Sequence, residues 1–193
     1  MNKIKIALRT ALSLAFCVAA QAVAAPDEVV PMTYEDTVSD MTPVRLASVC
    51  PINIVQVSDQ RPGKEGISTV SPVVASAPEP WIYSGLERLQ AYGFTVQRSS
   101  QPVANAVNLN VRLIRAYTWN TDMRINGMVA MDVDVMSSGG QRTEKIRAAG
   151  SKTNMWGAKS EHVTALNYSL NHALHKMAHV LQSECTQARL AMR

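Results

Sequence analysis

Apolar residues at helical spacing mark the longest predicted element of the chain. Between Ser160 and Cys185 they recur three or four positions apart, and neither Pro nor Gly interrupts the run. The members of this stripe are Val163, Leu166, Leu170, Leu174, Met177 and Leu181. The period predicts one amphipathic helix, with Ser160 suited to cap its start. Because such a helix needs an apolar surface to lie on, we expect the preceding residues to supply one.

Alternation between apolar and polar residues, together with β-branched runs, predicts a sheet before that helix. The runs lie at 52–57, 94–98, 107–113, 129–135 and 145–148, with a further extended piece at 70–74. Their period of two is typical of strands with one buried face. The 107–113 run can continue in the same phase through Tyr117 and Trp119, which predicts that both rings share the face of Leu113.

A shorter helical stripe lies between the first two strands. Pro80 suits a first helical position, and Gly93 suits a C-terminal stop. The apolar residues between them again follow a helical period: Trp81, Ile82, Leu86, Leu89 and Tyr92. We therefore expect a helix that starts at Pro80 and is followed directly by a strand.

Two turns are needed to fold the last three strands into a meander. Ser137-Ser138-Gly139-Gly140 is a tight-turn signal. For the other turn, Asn126-Gly127 is the stronger local signal, but a turn at 120–122 leaves better matched strands. We favour the turn at 120–122, with Gly127 as a β-bulge.

The resulting order of elements, β-α-β-β-β-β-α, is typical of an α+β domain. We expect a single antiparallel or mixed sheet of four to five strands, with two helices packed on one face. The domain is predicted at 49–185. Residues 25–48 are acidic, contain Pro and lack a clear period, so they are interpreted as a flexible N-terminal arm. Residues 186–193 form a C-terminal tail.

The N-terminus has the pattern of a secretory signal peptide. A basic start is followed by the apolar run 11–20 and by Ala22-Val23-Ala24, which predicts a signal over 1–24 with cleavage after Ala24. An N-terminal anchor helix is the alternative. Lipid attachment at Cys17 is another option, although bulky Phe16 stands where lipoprotein signals usually have Gly or Ala. The mature protein is thus expected in the periplasm or secreted, or peripherally associated with an outer membrane, with no transmembrane span.

Removal of the signal changes the charge of the chain. The full sequence has 19 Lys and Arg against 15 Asp and Glu, and three of the basic residues, Lys3, Lys5 and Arg9, leave with the signal. The remaining near-neutral balance gives no reason to expect a nucleic-acid partner.

Two cysteines, Cys50 and Cys185, remain when Cys17 leaves with the signal. An even pair in an exported protein predicts a disulfide. The alternative is a pair of unrelated, reduced thiols.

An ordered set of short motifs carries a resemblance to a known family. The motifs are Asp59-Gln60-Arg61, Tyr92-Gly93-Phe94, Val107-Asn108-Leu109, a long hairpin with a basic strand, and Ala165-Leu166 near the start of the last helix. The set resembles the YajG family of small cell-envelope lipoproteins. More distantly it is similar to auxiliary lipoproteins of envelope ABC transporters and of lipopolysaccharide assembly. The resemblance implies an envelope α+β domain without known enzymatic activity, and it carries over no catalytic residue. This chain departs from the family because it lacks the usual lipid-bearing Cys in good context, which suggests a soluble relative.

Three histidines of the last helix are candidate metal ligands. His172, His175 and His179 are spaced to lie in line on the face opposite the apolar stripe, and His175 and His179 at i, i+4 can share a metal ion. A solvated helix face is the alternative, because Glu161 of the helix is several turns away from these histidines.

Charged residues on the predicted strands form a second candidate site. Asp132 and Asp134 share one face, and paired carboxylates can do acid–base work. Arg112, Lys145 and Arg147 occupy the same face of the neighbouring strands, so a cross-strand charge ladder or a partner-binding surface is the alternative.

Asp59 and Arg61 follow the first strand and could bind a partner. The alternative is that Asp59 caps a turn through its side chain.

No nucleophile, base and orienting acid are tied together by the sequence, so we expect neither enzymatic activity nor a cofactor. The first functional hypothesis is a non-catalytic periplasmic accessory module. It would act on an envelope protein complex or outer-membrane component through its sheet face, a sheet edge or the loop at 59–66. The second is a lipid or glycolipid transport accessory, which needs an apolar groove between helices and sheet. The third is a metal-binding protein that uses the histidines.

Overall fold

The computed structural model describes residues 29–62, 66–68, 73–153 and 158–191. The predicted signal peptide, with Cys17, lies outside the described residues, as do residues 70–72 of the predicted extended piece.

A five-stranded mixed sheet forms the centre of the domain. The described strands are β1 (Val29–Pro31), β2 (Pro51–Asp59), β3 (Val74–Ser76), β4 (Thr95–Arg98), β5 (Val107–Thr121), β6 (Arg124–Ser137) and β7 (Gly140–Thr153). The main sheet has the order β4-β2-β5-β6-β7, and the short β1 and β3 pair separately. Strand β2 runs parallel to β4 and β5, whereas β5, β6 and β7 form an antiparallel meander. The predicted α+β class is confirmed.

Two helices cover one face of this sheet. Helix α1 spans Pro78–Glu87 and continues as a 3-10 turn, Arg88–Tyr92, which ends at Gly93 with a φ of 102°. Helix α2 spans Ser160–Ala191, so residues 186–191, predicted as a tail, continue the helix. In the segments that the structure describes, neither helix has the length and apolarity that a membrane crossing requires.

The predicted apolar stripes of both helices are confirmed as core. All members of the α2 stripe are buried, from Val163 at 6% exposure to Leu181 at 0%. Trp81 of α1 is also buried, and its indole Nε1 donates to Asn167 Oδ1 of α2 at 2.7 Å. This bond satisfies the polar edge of a ring that otherwise sits among apolar side chains.

The β5–β6 turn lies at 122–123, next to the favoured 120–122 and not at Asn126-Gly127, but the predicted role of Gly127 is wrong. Strand β5 ends at Thr121 and β6 begins at Arg124, and Gly127 pairs in regular register with Thr118 and Gly150. A glycine is needed there because α2 passes very close. A Cβ at position 127 would lie 2.7 Å from the carbonyl oxygen of Ala165.

The bulge of this hairpin lies elsewhere and corrects a second prediction. The β5–β6 register shifts between Leu113 and Arg115. The extra residue reverses the alternation, so Ala116 and Thr118 take the buried positions. Tyr117 and Trp119 therefore lie on the face opposite Leu113, whereas the continued alternation predicted that they share its face.

The N-terminal arm is packed rather than flexible from residue 29 onward. Strand β1 pairs in parallel with β3, and Met32 is only 4% exposed. Two amides of α2 hold the backbone of the arm: Asn167 Nδ2 donates to Thr33 O at 3.0 Å, and Asn171 Nδ2 donates to Val38 O at 2.6 Å. The prediction failed because the arm packs through irregularly spaced contacts: the buried Met32 side chain and the backbone carbonyls held by α2 follow no helical or strand period.

The predicted disulfide between Cys50 and Cys185 is confirmed, with a Cα–Cα distance of 5.5 Å. It joins the residue just before β2 to helix α2. The start of the sheet and the far part of the long helix are thus linked covalently.

Candidate functional site

The sheet surface opposite the helices is the main candidate site, and we call it the open face. It consists of the side chains of β5, β6 and β7 that point away from α1 and α2. Strand register places them in rows: Tyr117–Met128–Ala149, Arg115–Ala130–Arg147, Arg112–Asp132–Lys145 and Asn110–Asp134–Thr143. Over the described part of the chain both helices pack on the other side, so these rows are accessible to a partner.

A charge ladder occupies one half of the open face. Arg112 forms a bidentate ion pair with Asp134, in which Nη2 and Oδ1 are 3.0 Å apart. The hydroxyl of Thr143 donates to the same Oδ1 at 2.6 Å. These two donors, Arg112 above all, hold the pKa of Asp134 below its ordinary value. Asp132 lies directly between Arg112 and Lys145 in the register.

The next row carries positive charge without a matching acid. Arg115 and Arg147 are exposed and flank Ala130, which is only 5% exposed between them. Neither guanidinium group has a carboxylate partner among the described residues. This row can therefore offer two cations to an anionic group of a partner.

An aromatic patch borders that row. The rings of Tyr117 and Trp119 are 5.6 Å apart between centroids, and the Tyr117 hydroxyl donates to Met128 Sδ at 3.5 Å. All three side chains are half-buried. Arginine, tyrosine, tryptophan and methionine together are the residue types enriched in protein interfaces.

The predicted pair Asp59 and Arg61 is directed inward and does not join the open face. Arg61 is 3% exposed, and its Nε and Nη2 lie 2.8 and 3.0 Å from the two Asp59 oxygens. Asp59 Oδ1 also accepts the backbone N–H of Arg61 at 3.2 Å, which is the capping geometry of a turn. The pair fixes the loop after β2.

The three predicted histidines do not share one site: His175 and His179 are neighbours, whereas His172 contacts the arm. His172 contacts Asp40 of the arm, and this contact lowers the pKa of the Asp40 carboxyl. His175 packs against Tyr92 and lies 4.7 Å from the His179 ring, and burial lowers the pKa of His175. Across the described ranges, no three His, Cys, Asp or Glu side chains are grouped as metal ligands.

Helix α2 also reaches the outer edge of the sheet. Lys176 Nζ donates to the carbonyl oxygen of Arg147 at 2.7 Å, and His172 Nδ1 lies 2.7 Å from the carbonyl oxygen of Ala149. Both carbonyls belong to β7, the edge strand. These side chains therefore occupy acceptors that an edge strand otherwise presents to solvent.

Sequence reasoning identified the charge ladder but missed Arg115 and the aromatic patch. In strict alternation Arg115 falls in the same phase as Leu113, which is a buried position. A charged residue in a buried phase, followed by two aromatic residues in that phase, was the available signal of a bulge.

Comparisons with known proteins give no family for this chain. No family model and no curated protein matches it. Solved structures with partial similarity include an uncharacterized protein, 11% identical, covering 81% of this chain and 97% of that one with a TM-score of 0.47. They also include a hypothetical protein from Chlamydia trachomatis, 9% identical, covering 72% and 99% with a TM-score of 0.43. The rare lipoprotein B from Shewanella oneidensis is 12% identical and covers 71% and 98%, with a TM-score of 0.33. The resemblance to the YajG family stays a prediction.

Proposed function

We propose that this protein is a non-catalytic accessory module of the cell envelope that binds a partner protein through its open face. The observation that carries the proposal is the row Arg115–Ala130–Arg147, two exposed cations without a described acid partner, beside the Tyr117–Trp119 patch.

The chemistry of this surface favours an acidic partner segment. The two guanidinium groups can each take a carboxylate in bidentate fashion, while the aromatic rings offer apolar area at low cost in side-chain entropy. The buried Ala130 leaves the space between the two arginines free of a large side chain. An extended segment with acidic and apolar residues fits such a surface.

The envelope location is supported by the disulfide and by the predicted signal peptide. Disulfides persist in oxidising compartments such as the periplasm and are rare in the cytosol. The bond between Cys50 and Cys185 is therefore compatible with an exported protein.

A non-catalytic role agrees with the state of the paired carboxylates. Asp134 is engaged by Arg112 and Thr143, which stabilise its charged form. A general acid or base near neutral pH needs the opposite, a carboxyl whose pKa is raised.

The lipid-carrier hypothesis required a groove between the helices and the sheet. Side chains fill that space: Trp81, Ile82 and Leu86 of α1 are at most 1% exposed. The accessory module is thus better supported than the carrier in its original form.

Site-specific photocrosslinking in the native envelope tests this proposal. A photoreactive amino acid at Ala149 sits on the open face, and one at Gln90 sits on the exposed helical side as a matched control. We expect a defined crosslinked product from position 149 alone. It should decrease when Arg115 and Arg147 are both changed to Glu, and it should weaken at high salt.

Charge reversal at Arg45, which is exposed on the arm, provides the variant control and should leave the product unchanged. Equal crosslinking from positions 149 and 90, or a product insensitive to Arg115→Glu with Arg147→Glu, would refute the proposal.

A further inference from the structure

A groove of about 590 Å³ opens at the end of the sheet, beside the disulfide. Its walls come from residues 49–51, the loop at 102–108, the β6–β7 turn at 136–138, and Cys185 of α2. The volume lies within the range of small-molecule sites, about 300–1,000 Å³.

The loop that forms one wall is fixed by a buried amide. Asn108 Oδ1 accepts the N–H of Val103 at 2.7 Å, and its Nδ2 donates to the carbonyl oxygens of Val103 and Ala106 at 3.1 and 3.2 Å. Asn53 of β2 supports Asn108 with a bond of 2.8 Å and also donates to Gln101 O at 3.1 Å. The wall therefore has a defined shape before any ligand binds, which lowers the ordering cost of binding.

The opposite wall is fixed covalently. Cys50 and Cys185 both line the groove, and their disulfide joins the start of β2 to helix α2. Opening or closing of the groove by separation of these two elements is thus prevented while the bond is intact.

The lining is apolar and uncharged. Val49, Pro102, Val103 and Met136 supply apolar surface, and none of the described residues that line the groove is Asp, Glu, Lys, Arg or His. Polar groups at the lining are amides and hydroxyls, such as those of Asn105 and Ser138. A charged ligand would lose its hydration here without gaining a counter-charge, whereas an uncharged one loses little.

We infer that this groove is a binding site for an uncharged amphiphile, with a hydrocarbon portion along the apolar walls and a hydroxyl or amide end at the polar groups. A single-chain aliphatic alcohol has this chemistry. The groove lies at the end of the sheet, beyond the open-face row Asn110–Asp134–Thr143, and the inference does not depend on the function proposed for that surface.

Fluorescence titration of the disulfide-bonded protein with N-phenyl-1-naphthylamine, an uncharged apolar probe, tests the inference. We expect saturable binding of one probe per chain. The probe should be displaced by 1-decanol and at least about tenfold less effectively by decanoate, because the carboxylate of decanoate must be desolvated.

Filling the groove should remove this binding. Ala106→Trp places an indole in the lining, and Ala104→Trp does so at a more exposed lining position that tolerates a large side chain more readily. Each should weaken probe binding at least about tenfold, since the added ring takes the space of the ligand. Ala91→Trp, exposed on the 3-10 turn, is the matched control and should bind like the parent protein.

Circular dichroism identifies any variant that does not fold, and Ala104→Trp then decides the outcome in place of Ala106→Trp. Absence of saturable binding, equal displacement by decanoate, or unchanged affinity in the filled variant would overturn the inference. Arg115→Glu with Arg147→Glu should leave probe binding intact, so failure of the groove and failure of the open face are separable.

Discussion

The ion pair between Arg112 and Asp134 is the open-face interaction with the clearest expected effect on folding stability. Both side chains are partly shielded, at 26% and 14% exposure, and the geometry is bidentate. A lowered pKa in the folded state means that the charged carboxylate stabilises the fold. This contribution is present above the unfolded-state pKa of about 3.9 and is lost as the pH falls through the lower folded-state value.

Asp134→Asn should therefore destabilise the protein in a pH-dependent way. We expect a loss of about 1 kcal/mol in the free energy of unfolding at pH 7, which is the upper range for a partly exposed pair. The difference from the parent protein should shrink as the pH falls from about 4 through the lower folded-state pKa, because the parent carboxylate is protonated first in the unfolded and then in the folded state. Urea unfolding between pH 7 and pH 2 measures it.

The control is a double-mutant cycle with Arg112→Met. Without the guanidinium, the pH dependence of the Asp134→Asn effect should largely disappear. If the effect of Asp134→Asn is the same at every pH in the protein that retains Arg112, the assigned role of the ion pair is contradicted.

Close contact between helix α2 and the meander depends on two glycines that are neighbours across the sheet. Gly127 of β6 pairs with Gly150 of β7, and a Cβ on Gly150 would lie 2.6 Å from Tyr168 Cβ and 2.7 Å from Ser169 N. The helix backbone thus lies directly on a patch of sheet that has no side chains. Tight packing of this kind sets the distance between the two layers.

Gly127→Ala should lower stability by about 1–3 kcal/mol, because the new methyl group meets the backbone of α2 and the helix must shift. Thermal unfolding checks this, with roughly 2–4 °C expected per kcal/mol for a chain of this size. Gly139→Ala is the matched control: the nearest atom to its Cβ is Ser137 Oγ at an ordinary 3.5 Å. Equal thermal unfolding midpoints for Gly127→Ala and Gly139→Ala would contradict this prediction, because they would mean that α2 accommodates the methyl group at position 127 without loss of stability.

The spacing of apolar residues was sufficient to predict the helices and strands, but not which face of the sheet each side chain occupies. The apolar stripes of α1 and α2 and the strands of the meander could be predicted, because burial of one face requires apolar residues at a regular spacing. The bulge at Leu113 and Arg115 is signalled only by a charged residue in a buried phase, and it moves every later side chain of β5 to the opposite face. The surface carrying Arg115, Tyr117 and Trp119 was therefore not predicted as a site, whereas the ladder of Arg112, Asp132 and Asp134 was.

The disulfide restrains the entire domain because it closes nearly all of it. Cys50 and Cys185 are 135 residues apart, and a loop of that length is stabilised by about 4–5 kcal/mol in the chain-entropy description. Their pairing could be predicted from compartment and number alone. The groove that they line could not, since it combines segments distant in the chain.

Cys50→Ser with Cys185→Ser should reduce the free energy of unfolding by about 2–5 kcal/mol. Denaturant unfolding with and without dithiothreitol measures the effect, and the parent protein in reductant should approach the double variant. Reductant should leave the double variant unchanged. A parent protein whose midpoint is insensitive to complete reduction would contradict the assigned role of the bond.

The contacts of Lys176 and His172 with the carbonyls of β7 have a consequence for self-association. A sixth strand from another copy, laid alongside residues 147–149, would have to expel both side chains before forming its first hydrogen bonds there. These two contacts therefore oppose the addition of a further strand in the middle of β7, the longer of the two edge strands of the main sheet. If the open face binds a partner as proposed, this protection of the β7 edge lets it do so without edge-to-edge pairing between copies.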